Sequence, residues 1–158
     1  SRSAESCSVT GASDVIGQTE GTLFVDFELQ TPLGNDYLLG NIYNNSSLAD
    51  GIYLYITGEN ILNAYVDNSG NQARIIAPSA SPQGNHKIAI AYKQNEIKLY
   101  VNGISIGTDT SASIPTCDSI KIIDYSNGGG YIEKSSINQY MLFKTSLSNA
   151  ELATLTTL

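Results

Sequence analysis

The sequence predicts an all-β fold: an antiparallel two-sheet β-sandwich with one short C-terminal helix. Three observations carry this. The stretch His86–Thr108, HKIAIAYKQNEIKLYVNGISIGT, parses as three strands joined by two-residue turns. Across the chain, roughly ten to twelve short strand-like runs are punctuated by turn residues every 8–12 positions or so. Only the C-terminus shows helix-capping spacing. A sandwich or a barrel fits this pattern, and at 158 residues a two-sheet jelly roll is the better match.

Asn102-Gly103 is a strong hairpin signal, because a type I′ turn needs positive φ at both central residues. A two-residue loop there sets Val101 opposite Ile104 and Leu99 opposite Ile106. A second, weaker turn at Gln94-Asn95 sets Tyr92 opposite Ile97, Ile90 opposite Leu99 and Ile88 opposite Val101. Side chains alternate with period two, so all these pairs share one apolar face. The other face reads Lys87, Ala89, Ala91, Lys93, Glu96, Lys98, Tyr100, Ser105 and Gly107, mostly polar or small. The stretch is therefore a meander with one side in a core.

The remaining elements follow in order. Ser8–Gly11 reads as a short edge strand, and Asp14–Gly21 carries turn chemistry. Thr22–Gln30 alternates, with Leu23, Val25, Phe27 and Leu29 on one face. Tyr37–Tyr43 is a strand in which Gly40 marks a bulge. Asn44–Gly51 reads as a polar loop. Ile52–Thr57 and Ile61–Val66 form a hairpin, Gln72–Ala77 follows the Asp67–Gly70 turn, and Pro78–Asn85 is a loop. Ser119–Tyr125 and Ser136–Lys144 are the last two long strands, separated by the flexible Ser126–Gly130 loop and short Tyr131–Lys134. Ser148 and Glu151 have capping-box spacing, and Leu147 and Leu152 occupy the hydrophobic-staple positions of the helix.

Length fits one domain over 1–158, with 1–7 a flexible or cloned end. Apolar residues make up 41%, which marks a globular rather than a disordered chain. Fifteen acidic against eight basic residues, net −7, argue against nucleic acid and anionic membrane surfaces as partners. No apolar run is long enough to span a bilayer. Cys7 and Cys117 allow one bridge closing a long loop or two free thiols, and they form no metal motif.

HKIAIAYKQNEIKLYVNGISIGT resembles the signature of laminin-G-like, concanavalin A-like jelly-roll domains. There, a His-led strand runs through a tight turn into a Tyr-Val-Asn-Gly hairpin. INQYMLFKTSLSNAELATL is similar to that family's last strand and short helix. GQTEGTLFVDFEL resembles the opening strand of variants in bacteriophage tail-fibre, virion and bacterial surface proteins. The resemblance covers about residues 8–158 and implies the fold; family members differ in what they bind.

Glycanases of this superfamily need paired carboxylates. Phe24-Val25-Asp26-Phe27-Glu28 looks like part of the laminarinase-type E-x-D-x-E strand, but Phe24 stands at the first acidic position and the chain has no Trp. Asp26 and Glu28 therefore read as solvated strand carboxylates, and no enzyme is expected. His86, the only histidine, sits where the family keeps one and is expected to pack or hydrogen-bond. The resemblance also implies a rim calcium position at Asp50, with Asn127 or carbonyls of the 67–70 loop beside it. One side chain falls short of the six to eight oxygens calcium takes, and Asp50 before Gly51 is also a turn former, so no cofactor is assigned.

Tyr53 and Tyr55 share the face opposite Ile52, Leu54 and Ile56, extended by Tyr65. Amphipathic rings there suit sugar stacking or a protein interface, and equally ordinary cross-strand packing. The loops 44–51, 67–70 and 126–130 supply Asn44, Asn45, Asp50, Asp67, Asn68 and Asn127. The expectation is a non-catalytic module for a cell-surface glycan or receptor, on a virion fibre or extracellular adhesin. Sugar would stack on Tyr53, Tyr55 or Tyr65 and bond Asp50, Asn68 and Asn127. The rival is a structural or oligomerisation domain whose tyrosine face is covered by another subunit.

Overall fold

The computed structural model describes residues 7–29, 37–78, 83–124 and 135–158. The expected loop at 126–130 and the short run at 131–134 lie outside these residues. Among them, eleven strands precede one helix: β1 (Cys7–Thr10), β2 (Glu20–Leu29), β3 (Tyr37–Asn44), β4 (Ser47–Ile56), β5 (Leu62–Asp67), β6 (Asn71–Ile76), β7 (Gly84–Lys93), β8 (Glu96–Val101), β9 (Ile104–Asp109), β10 (Ser119–Asp124), β11 (Ser135–Phe143) and α1 (Asn149–Thr156). They build a six-stranded sheet, β1-β10-β3-β4-β5-β6, and a five-stranded sheet, β11-β2-β7-β8-β9. All pairings are antiparallel. No helix among the described residues is long and apolar enough to cross a membrane.

The core lies between the sheets. Leu23, Val25, Phe27 and Leu29 of β2, with Ile88, Ile90, Tyr92, Ile97 and Leu99, meet Ile42, Ile52, Leu54, Ile56, Leu62, Ala64 and Val66 across the sandwich. Every second residue is apolar in these strands, so one register buries all of them and a slip by one would expose them together.

The 86–108 meander forms with Ile88 opposite Val101, Ile90 opposite Leu99 and Tyr92 opposite Ile97. Asn102 and Gly103 have φ of 50° and 81°, as the type I′ turn requires, whereas in the preceding turn only Asn95 is positive, at 59°. One pairing differs from the expectation. Leu99 faces Gly107, not Ile106, because the ladder shifts after Tyr100 meets Ser105. The extra residue is a β-bulge near the sandwich edge. Ile104, expected on the buried face, is 66% exposed.

The second face of the meander is also corrected. Ala89, Ala91 and Tyr100 join Phe24 and the fully buried Leu152 in a smaller apolar cluster under α1. The alanines leave room for the helix to approach the sheet. Ser148 N–H donates to Glu151 Oε2 at 2.8 Å and Glu151 N–H donates to Ser148 Oγ at 3.4 Å, completing the capping box. Thr22, buried in β2, fixes the entry to the helix: its hydroxyl donates to Thr145 O and accepts from Leu147 N–H. At the other end, Gly103 N–H donates to Thr156 Oγ1 at 3.0 Å, tying the helix to the Asn102-Gly103 turn.

The 44–51 segment is not the expected polar loop. Only Asn45 and Ser46 turn, and β4 begins at Ser47. Asn44 pairs Ser47 and Tyr43 pairs Gly51, so Leu48, Ala49 and Asp50 bulge out of the ladder between these pairs. Cys7 is an exposed free thiol on edge strand β1, and Cys117 is a buried one, so the two are not bridged.

Replacing Leu152 by Ala removes the side chain that seals the second cluster. We expect a loss of about 2–5 kcal/mol in denaturant unfolding. A loss below about 1 kcal/mol would mean that the helix contributes little to the fold.

Candidate functional site

Burying Ile52, Leu54 and Ile56 of β4 turns Tyr53 and Tyr55 to the outer face of the six-stranded sheet. The neighbouring strands extend that face. Lys121 of β10 stands opposite Asn41 of β3, Asn41 opposite Tyr53, Tyr53 opposite Tyr65 of β5, and Tyr65 opposite Arg74 of β6. Directly paired residues share a face, so these five side chains cross five adjacent strands in one line. Tyr55 stands opposite Leu38 and Asn63 in the next line.

The tyrosines are held in defined positions. The rings of Tyr53 and Tyr65 lie 5.8 Å apart, tilted by 47°. The Tyr53 hydroxyl reaches the carbonyls of Leu48 and Ala49, both at 3.2 Å, and so ties its own ring to the bulge. That ring passes over Gly51, where an added Cβ would sit 2.8 Å from both Cζ and the hydroxyl and 2.7 Å from Ile42 O. The Tyr65 hydroxyl donates to Asp67 Oδ2 at 2.9 Å. Burial, and then the Asp67 carboxylate, push the Tyr53 hydroxyl well above the ordinary tyrosine range. Tyr65 is raised by burial and by its bond to Asp67. Both stay neutral, as amphipathic rings, at physiological pH.

Among the described residues, three buried acceptors on this face have no donor: Asn41 Oδ1, Asn63 Oδ1 and Asp67 Oδ1. A fourth such atom, Glu96 Oε2, is answered by Lys93 Nζ at 2.7 Å. Asn63 is oriented by its amide, which donates to Ile61 O at 2.8 Å and leaves the oxygen unpaired. An orphaned buried acceptor costs about 1–3 kcal/mol, so their concentration on one face calls for a reason.

The expected loop residues are placed less uniformly. Asp50 lies in the β4 bulge, and its Oδ1 accepts from Ser69 N–H at 2.7 Å, linking the bulge to the 67–70 turn. The amide of Asn68 donates to Ser113 Oγ and Ile114 O, so it is turned toward the 113–114 segment. Asn127 lies outside the described residues. Asn41, Asn63 and Arg74 do not stand out in the sequence. The parity of β3, β5 and β6 carries their signal, since each precedes or follows a core residue by one position.

The described residues contain no group of three or more His, Cys, Asp or Glu side chains able to hold a metal. Asp50 and Asp67 each already hold a protein donor on one oxygen. Asp26 and Glu28 are on the other sheet. Asp26 accepts from Asn138 Nδ2 at 3.1 Å and lines an open cleft of about 330 Å3 with Asn85, Lys87, Asn138 and Leu158. His86 is buried, with Nδ1 3.2 Å from Asn102 Nδ2 and its ring 5.4 Å from Phe27, which is the packing and hydrogen-bonding role expected of it.

The arrangement sets neutral rings, buried acceptors and an exposed arginine on one face, with the Asp67 and Asp50 carboxylates close by. Residues 15–153 match the family model described as the concanavalin A-like lectin/glucanases superfamily. No curated protein sequence matches. Among solved structures, the leech intramolecular trans-sialidase superposes with TM-score 0.72 and 17% identity, covering 98% of this chain and 26% of that one, so this chain spans about a quarter of it. The CBM40 of the Ruminococcus gnavus IT-sialidase, bound to α2,3-sialyllactose, gives 0.74 and 18% over 98% of this chain and 94% of its own. Botulinum neurotoxin type C, whose cell entry depends on interaction with two ganglioside molecules, gives 0.72 and 13% over 95% and 39%. At these identities the likeness establishes the fold.

Two outcomes are expected here. Gly51→Ala should destabilise the protein by about 1–3 kcal/mol by forcing the Tyr53 ring and the Ile42 carbonyl apart, read as a lower denaturation midpoint and altered near-UV tyrosine dichroism. Cys117, whose thiol burial pushes up to about 12 with Asp118 and Asp50 adding to it, should resist a thiol reagent at pH 8 while Cys7 reacts. Two reactive thiols in the folded protein would contradict that burial.

Proposed function

The chain belongs to the concanavalin A-like lectin/glucanases superfamily, and on that footing we propose that it is a non-catalytic carbohydrate-binding module whose site is the outer face of the six-stranded sheet. The observation that carries this is the Tyr53–Tyr65 pair flanked by the donor-less oxygens of Asn41 and Asn63. A pyranose has an apolar C–H face suited to tyrosine and hydroxyl donors suited to unpaired amide oxygens. The sialyllactose held by the R. gnavus module and the gangliosides of the neurotoxin support glycan as the ligand class.

Sugar stacks on Tyr53, Tyr55 or Tyr65, its hydroxyls donate to Asn41 and Asn63, and Asp50 contributes from the β4 bulge and Asn68 from the 67–70 turn; Asn127, outside the described residues, is the third expected contributor. Side chains over the buried amides give way as the sugar settles. Asp26 and Glu28 take no part, lying on the opposite sheet. A single shallow site binds weakly, so function rests on several copies acting together on a cell surface. The resemblance of the opening strand supports an extracellular setting, as the exposed domain of a virion fibre or surface adhesin.

A glycan array probed with the whole chain, with calcium and with a chelator, tests the reading. Specific binding insensitive to chelation is expected, and Tyr65→Ala should weaken it by at least about tenfold. Asn41→Val should leave stability unchanged or raise it by about 1 kcal/mol while weakening binding, the mark of an acceptor kept for a ligand. Absence of binding to every glycan would favour a subunit-covered tyrosine face, to be sought in the oligomeric state.

A further inference from the structure

The charge pattern of the same face points further, resting on the glycan reading above. Arg74 is the only arginine among the described residues, and it stands exposed opposite Tyr65. No carboxylate among those residues answers it. The salt bridges among them join Lys93 and Lys98 to Glu96, on the other sheet. Lys87, also on that sheet, donates to Thr157 O. Asp67, two residues on from Tyr65, holds the Tyr65 hydroxyl on Oδ2, and no ion pair joins it to Arg74. The cation beside the stacking pair is thus left open to a ligand, in a chain whose net charge is −7.

Guanidinium presents five donors and no acceptor in a planar fork that matches a carboxylate or sulfate with two parallel hydrogen bonds. Neighbouring strands lie about 4.8 Å apart, roughly the width of one sugar ring. A ring stacked on Tyr53 and Tyr65 therefore carries its substituent to Arg74. We infer that the site takes an acidic sugar, with Arg74 as the residue that binds its carboxylate or sulfate group and sets specificity over the neutral counterpart. Lys121, at the far end of the same line, gives that end the same sign of charge.

The test is calorimetric titration of the whole chain with lactose, 3′-sialyllactose and 3′-sulfolactose, for the parent protein, Arg74→Ala and Arg74→Lys. At least about tenfold tighter binding of one or both acidic sugars than of lactose is expected, with which of the two identifying the acidic group. Arg74→Ala should remove that preference, weakening the acidic sugars at least about tenfold more than it weakens lactose. Arg74→Lys should restore part of it, because a lysine keeps the charge without the fork, and added salt should weaken the preference. Lactose bound as tightly as its acidic forms, or an Arg74→Ala loss equal for all three, would overturn the assignment while the glycan reading stands. Failure of every sugar here and on the array would overturn both.

Discussion

Because the side chains of a strand alternate, burying Ile52, Leu54 and Ile56 leaves Tyr53 and Tyr55 no option but the outer face. The rest of the molecule is built on that constraint. β4 is central in its sheet, so its parity is passed through the ladders to β3 and β5, and from them to β10 and β6. The core residues of those strands and the surface line Lys121–Asn41–Tyr53–Tyr65–Arg74 are two readings of one register. A change that moved the core by one residue would dismantle the surface line with it.

The two sheets meet water differently, and sequence explains why. On the five-stranded sheet, Ala89 and Ala91 are small enough to admit α1, and Phe24, Tyr100 and Leu152 fill the space between. On the six-stranded sheet, the outward positions carry Tyr, Asn, Lys and Arg beside Leu38 and Ile76, and a helix laid there would strand those polar groups. α1 covers the outer face of the five-stranded sheet and makes no such layer on the six-stranded one. The donor-less oxygens of Asn41, Asn63 and Asp67 all fall on the second.

Much of this is legible in the amino-acid pattern. Period-two alternation marks β2, β4, β5, β7 and β8 with their faces, and Asn102-Gly103 marks the tightest turn. Ser148 and Glu151 mark the helix start. What escapes is whatever breaks the period. The extra residue in β9 moves Ile106 off Leu99, and the bulge at Leu48–Asp50 turns an apparent loop into the irregular start of a strand. The tyrosines of the site are visible because one strand holds two of them. Asn41 and Arg74 are not, since their place beside Tyr53 and Tyr65 depends on pairing across the Tyr43/Asn44 and Val66/Asp67 register shifts. Asn68 is visible but is engaged with the 113–114 segment, which no local spacing announces.

The partners of β1 and β2 are β10 and β11, and the floor of α1 is made by β2, β7 and β8. Both sheets are thus closed by strands from opposite ends of the chain, a topology of high contact order. On a ribosome, the alanine-lined surface of β7 and the free edge of β2 would wait uncovered until residues 135–156 had been made. The strands that complete both sheets come late in the sequence, so an apolar face and an unpaired strand edge stay exposed until they pair.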